Sequence, residues 1–282
     1  MRTSRKSTAY LLVLPGLLWL GVFFIIPTIT LISQSLQEGS LELGYSLTWN
    51  FGIYGQVLSD YAPQFLRSLV YAGLATLAAL IIAYPLAYTI AFKAGRWRNV
   101  LLILVVAPFF TSFLVRTLAW KIILADEGVV ADVLRAIGLL SFTDDRLLAT
   151  PIAVVCGLTY NFLPFMTLPL YTSLERLDGR LLEAAGDLYA SAFTTFRKVT
   201  FPLSLPGVVG GTLLTFIPAA GDYVNVEFLG TPQTSMIGNV VQSKFLVSLD
   251  YPGAAALSVI LMVVIISMVL VYVRRAGTED LV

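Results

Sequence analysis

Six apolar runs alternate along the chain with shorter segments in which the charges are gathered. A bilayer span takes about 20 predominantly apolar residues. The runs cover about residues 9–35, 65–92, 99–124, 148–174, 203–226 and 252–273, so each is long enough to cross. The first exceeds the roughly 7–15 residues of a signal-peptide core, and no small-x-small site follows it, so it reads as a retained span. The fifth is the least regular, because Pro218, Gly221 and Asp222 interrupt it.

The segment between the fourth and fifth runs, residues 175–202, has a different pattern. Glu183, Ala184, Ala185, Leu188 and Ala192 favour helix, and Leu181, Leu182, Ala185 and Leu188 recur at the spacing of one helical face. Pro202 and Pro206 are expected to stop that helix before the next span. An amphipathic helix at a membrane surface suits a partner's groove. A solvated connector fits the composition equally well.

Basic residues set the orientation. With the N-terminus inside, the inner segments hold Arg2, Arg5, Lys6, Lys93, Arg96, Arg98, Arg176, Arg180, Arg197, Lys198, Arg274 and Arg275, twelve of the eighteen. Both termini and the 175–202 segment are then cytoplasmic. The expected fold is all-α, a single membrane domain of six transmembrane helices. Of the outer loops, residues 37–65 are long and aromatic. Residues 125–147 carry Asp126, Glu127, Asp132, Asp144 and Asp145, with Val129, Val130, Val133, Leu134 and Ile137 at helical spacing. That loop is expected to form a short helix, either lying on the membrane surface or packing its apolar face inward.

Composition narrows the function. Hydrophobic residues make up 57% and charged residues 12%, as in a polytopic membrane protein. The net charge of +1 gives no basic field for nucleic acid. Histidine is absent and Cys156 is the lone cysteine, which excludes an internal disulfide and a histidine or multi-cysteine metal site. No Gly-x-x-x-x-Gly-Lys-Ser/Thr loop occurs, so nucleotide chemistry, if used, belongs to another polypeptide. A stand-alone secondary transporter predicts repeats or a charge ladder, and an intramembrane enzyme predicts facing catalytic acids. Neither pattern is present, and no catalytic residue is assigned.

The cytoplasmic segment resembles the signature of bacterial ABC importer permeases: Glu-Ala-Ala, three residues, Gly, nine residues, Ile-x-Leu-Pro. Glu183-Ala184-Ala185 matches its start and Val199-Thr200-Phe201-Pro202 its end. Tyr189 stands at the glycine position, where glycine would permit a left-handed turn that tyrosine resists. Gly186 lies three residues earlier. Residues 107–116, 163–171, 173–178, 236–241 and 250–256 resemble the spermidine/putrescine permease family. The resemblance implies a type I importer fold in the bacterial inner membrane. It also implies a second, homologous and non-identical permease, two ATPase subunits that hold the ATP and magnesium, and an external solute-binding protein. Carried onto this chain, Arg180, Glu183, Ala184, Ala185, Gly186, Asp187, Tyr189 and Pro202 would form the ATPase-coupling segment.

For the solute path, ionisable groups inside spans are the candidates, since each costs about 2.5–3.5 kcal/mol at mid-span. Asp222 and Glu227 suit a polycation, with Tyr223, Asn225, Asn161, Tyr160 and Trp120 as neutral lining. Alternatively, Asp222 pairs with Arg116 or with a partner permease. Arg116 and Lys121 would repel a polycation, and Gly207 with Gly211 has the spacing of close helix packing. A sugar, amino acid derivative or oxyanion complex as cargo remains the alternative within the same machine.

Overall fold

The computed structural model describes residues 4–138 and 146–276. Arg2, Asp144 and Asp145 lie outside the described residues. In chain order the helices are α1 (Ser4–Leu20), α2 (Ile26–Ser35), α3 (Gly52–Phe92), α4 (Arg98–Val106), α5 (Phe113–Ile123) and α6 (Val129–Ala136). They continue with α7 (Pro151–Glu175), α8 (Gly179–Asp187), α9 (Ala192–Thr195), α10 (Phe201–Leu203), α11 (Leu205–Ala220), α12 (Val224–Leu229), α13 (Ile237–Leu246) and α14 (Tyr251–Ala276). Two short strands, β1 (Gln37–Ser40) and β2 (Gly44–Leu47), pair antiparallel.

Four helices are long and apolar enough to cross a membrane: Leu12–Ser35, Gly52–Phe92, Pro151–Glu175 and Tyr251–Arg275. Two bent pairs bring the number to six among the described residues when each pair is counted as one span. Gly95–Phe110 meets Phe113–Ile123 at 97°, and Ala192–Leu203 meets Leu205–Ala220 at 65°. The third and fifth runs are therefore not continuous spans. In the third, Pro108 has no amide to give to the helix before it, and a 3-10 turn at Ala107–Phe110 follows and gives way to an extended Thr111 (ψ 155°). In the fifth, the chain is already helical before residue 203, and it breaks again after Ala220.

The chain divides into two compact units, Met1–Ala62 with Val240–Val263 and Pro63–Asn239 with Val264–Val282. In the first, Leu12–Ser35 exposes almost every apolar side chain, as a lipid-facing helix does. The outer loop expected at 37–65 instead forms the β1–β2 hairpin and the first turns of α3, which starts at Gly52. Gly44 has φ +77° in the hairpin turn, and a Cβ on Gly39 would lie 2.0 Å from the Gly44 carbonyl, so this turn requires glycine. Helix α13 went unpredicted. It carries Lys244, which donates to Asp250 Oδ2 at 2.6 Å and lies over the Tyr61 ring. Burial alone lowers the Lys244 pKa, but its bond and charge with Asp250, aided by Tyr61, outweigh that and hold it above the usual value.

The second unit is built on α7. Gly207 and Gly211 let α11 approach it closely: a Cβ would stand 2.7 Å from the Pro169 carbonyl oxygen at the first and 2.8 Å from Met166 Sδ at the second. The Gly-x-x-x-Gly spacing is thus a packing device. One apolar cluster gathers Ala72, Ala75, Val154, Leu158, Phe162 and Leu229. Another gathers Ala83, Tyr84, Ala87, Met166, Leu170 and Leu174. Helix α6 forms as predicted and leaves Val129, Val133 and Ile137 exposed, while Arg135 holds the loop by donating to the Asp126 carbonyl at 2.6 Å.

Candidate functional site

Asp178 opens the 175–202 segment as the cap of α8, its Oδ1 accepting from the Arg180 amide at 3.0 Å. The helix ends at Asp187, earlier than Pro202 was expected to end it. Tyr189 N–H donates to the Gly186 carbonyl and Ala190 N–H to the Ala185 carbonyl, while Tyr189 sits at φ +57°. That pair of bonds around a left-handed residue is a Schellman motif. Tyrosine therefore takes the left-handed turn expected of glycine. With its side chain 98% exposed it meets no obstacle, and the two backbone bonds offset the conformational cost.

Ser191 then caps a second helix through the Thr194 amide, and helical turns run through Pro202 to the bend at Ser204. Pro202 stands in the first turn of α10, where its missing amide is not needed. Arg180, Glu183, Ala184, Gly186, Asp187, Tyr189 and Pro202 are exposed, whereas Ala185 is buried. The predicted apolar face divides accordingly. Ala185 and Leu182 turn toward the chain, and Leu181 and Leu188 are left open at 46% and 81% exposure.

A second constellation lies where α11 breaks. Asp222 Oδ1 accepts from the Asn225 amide at 2.8 Å and from Asn225 Nδ2 at 3.1 Å. Asn225 Oδ1 accepts from Asn161 Nδ2 at 2.9 Å, and that same amide donates to Thr117 Oγ1 at 3.3 Å. The result is a buried polar ladder from α12 through α7 to α5. Thr117 and Asn225 are fully buried, Asn161 is nearly so, and Asp222 keeps 8% of its surface. A Cβ on Gly157 would stand 2.8 Å from Asn225 Oδ1, so glycine makes room for the ladder. Arg116 is also buried. Its guanidinium lies 5.6 Å from the centre of the Phe113 ring, and Nε and Nη1 have no hydrogen-bond partner among the described residues.

Residues 75–276 match the family described as "Binding-protein-dependent transport system inner membrane component". The chain belongs to that family. It is 38% identical over 259 residues to the spermidine/putrescine transport system permease protein PotB of Haemophilus influenzae, covering 91% of this chain and 90% of the relative. It is also 30% identical to the inner membrane ABC transporter permease protein YdcU of Escherichia coli, covering 96% and 90%. A solved bacterial ABC transporter involved in import of the acidic polysaccharide alginate has the same fold, with TM-score 0.73, 17% identity and coverage of 98% and 97%. As a permease of this family the chain is a multi-pass, non-catalytic subunit of the inner membrane that binds no cofactor. It works with an external binding protein and with ATPases that handle the ATP.

Within this permease the residues singled out for the solute fall into three places. Asp222, Asn225 and Asn161 join in the ladder. Trp120 and Tyr160 meet edge-on with ring centres 5.3 Å apart. Tyr223 is 43% exposed, and Glu227 is exposed beside a separate cavity of about 180 Å³ with Gly230, Thr231 and Asn239. Asp222 forms no ion pair with Arg116 among the described residues, so that pairing is not seen, and pairing with a second permease stays open. Thr117 was missed. Its only signal was a hydroxyl beside Arg116 in a largely apolar run, and its role depends on a partner 44 positions away.

Proposed function

We propose that this chain is a permease subunit of an ATP-driven polyamine importer, paired with a second, homologous permease above two ATPase subunits. The observation that carries the cargo is the likeness to permeases named for spermidine and putrescine, at 36–38% identity over 91–97% of this chain. The chemistry of the ladder agrees. A carboxylate with one oxygen unbonded among the described residues, backed by two amides and a hydroxyl, offers an ammonium group one charge-assisted acceptor among neutral ones. Trp120 and Tyr160 add aromatic faces of the kind that attract cations.

The coupling role belongs, in this reading, to α8 and the residues to Pro202, on the cytoplasmic side. A short helix anchored by Ala185 presents Leu181, Glu183, Asp187 and Leu188 outward. Apolar anchors give such a helix its grip in a groove and flanking charges fix its register. ATP-driven closure of the ATPases would then move α8. The permease pair opens outward to receive solute and inward after hydrolysis. The test is the complete complex in lipid nanodiscs with its binding protein. Spermidine or putrescine should stimulate ATP hydrolysis. Stimulation by a sugar or oxyanion, with none by either polyamine, overturns the cargo.

A further inference from the structure

A push on α8 has few routes into its own chain, because Ala185 is its only buried residue. The segment is held instead at its ends. Downstream, the Tyr84 hydroxyl and Ser204 Oγ are 2.7 Å apart at the 65° bend, and Phe196 packs edge-on against Tyr84 at 5.4 Å. That contact ties the segment to α3.

Upstream, Arg98 makes three contacts with one guanidinium. Nε donates to the Tyr171 hydroxyl, Nη2 pairs with the Glu175 carboxylate, and the group lies 5.1 Å from the centre of the Tyr171 ring. An exposed ion pair alone contributes little. Here, however, Tyr171 is 7% exposed and packed with Leu170 and Leu174, so the planar fork is fixed in orientation. Glu175 closes α7, and Asp178 caps α8 just beyond it. Arg98 opens α4, which leads through the 97° bend into α5 and Thr117, one end of the polar ladder.

We propose that Arg98 is a positioning residue that carries displacement of α8 into α4 and α5, and so to the ladder. With the downstream end tied to α3, motion of α8 loads the Glu175 end. Arg98 supplies the hydrogen-bonded and ionic contacts from α4 to the last turn of α7 among the described residues. The inference rests on the coupling role proposed for Gly179–Asp187.

The test is solute taken up per ATP hydrolysed by the complete complex in proteoliposomes. Arg98→Gln and Glu175→Gln should each lower that ratio at least about fivefold, the low end of ordinary coupling factors, while hydrolysis continues. Arg98→Lys keeps the charge but loses the two-nitrogen grip, and should fall between. The exchange Arg98→Glu with Glu175→Arg should recover much of the ratio that either single reversal loses. A merely structural role would change complex yield and leave the ratio of the assembled fraction intact. An unchanged ratio in Arg98→Gln and Glu175→Gln, or an exchange no better than the single reversals, overturns the inference. If the unaltered complex transports another solute instead of spermidine, the cargo reading falls, and the same ratio on that solute still judges Arg98.

Discussion

At the scale of single residues, Asp222 combines two roles in the ladder. It caps the start of α12 through the Asn225 amide and presents a carboxylate at the break after Ala220. Asp222→Asn keeps an oxygen for the cap and removes the charge. Uptake of spermidine should fall about tenfold, the loss of one charge-assisted bond, while the assembled complex remains. Unchanged uptake kinetics would reduce Asp222 to a cap. Asn161→Leu leaves the buried Asn225 Oδ1 without its donor and should destabilise the permease by about 1–3 kcal/mol, read as a lower Tm of the purified complex. Asp222 and Asn161 were legible in the sequence because polar groups in apolar runs are expensive. Thr117 and the grip of Arg98 were not, since both depend on partners more than 40 positions distant.

At the scale of elements, the instructive case is the turn after α8. Left-handed backbone costs a non-glycine residue about 1–2 kcal/mol, and glycine loses roughly 0.5–1 kcal/mol of entropy on ordering. Tyr189→Gly should therefore leave stability and transport near the wild-type values. Tyr189→Val places a β-branched side chain at φ +57° and should weaken coupling. A Val variant that transports normally would show that the turn is not required. Glu183-Ala184-Ala185 marked the helix in the sequence, but its end was misplaced at Pro202, because the stop comes from backbone bonds that tyrosine's propensity does not reveal. The bends at Thr111 and Ser204 were hidden for a similar reason. Hydropathy reports that a run is apolar, and it is silent on whether the run is straight.

At the scale of the whole molecule, the six apolar runs correspond to four long helices and two bent pairs, so the runs were readable and their continuity was not. The hairpin at Gln37–Leu47 lies where loop composition gave no strand signal, and it depends on the turn at Gly39 and Gly44. The family explains why the chain has no nucleotide loop: hydrolysis belongs to a partner, and this chain must receive its work through a surface. The most direct measurement places single cysteines at Leu181, Glu183 and Asp187 in a Cys156→Ala background and cross-links the assembled complex. The account predicts cross-links to the ATPase subunits from all three positions, with yields that change between the ATP-bound and nucleotide-free states. Cross-links to the external binding protein, or none to the ATPases, would contradict it.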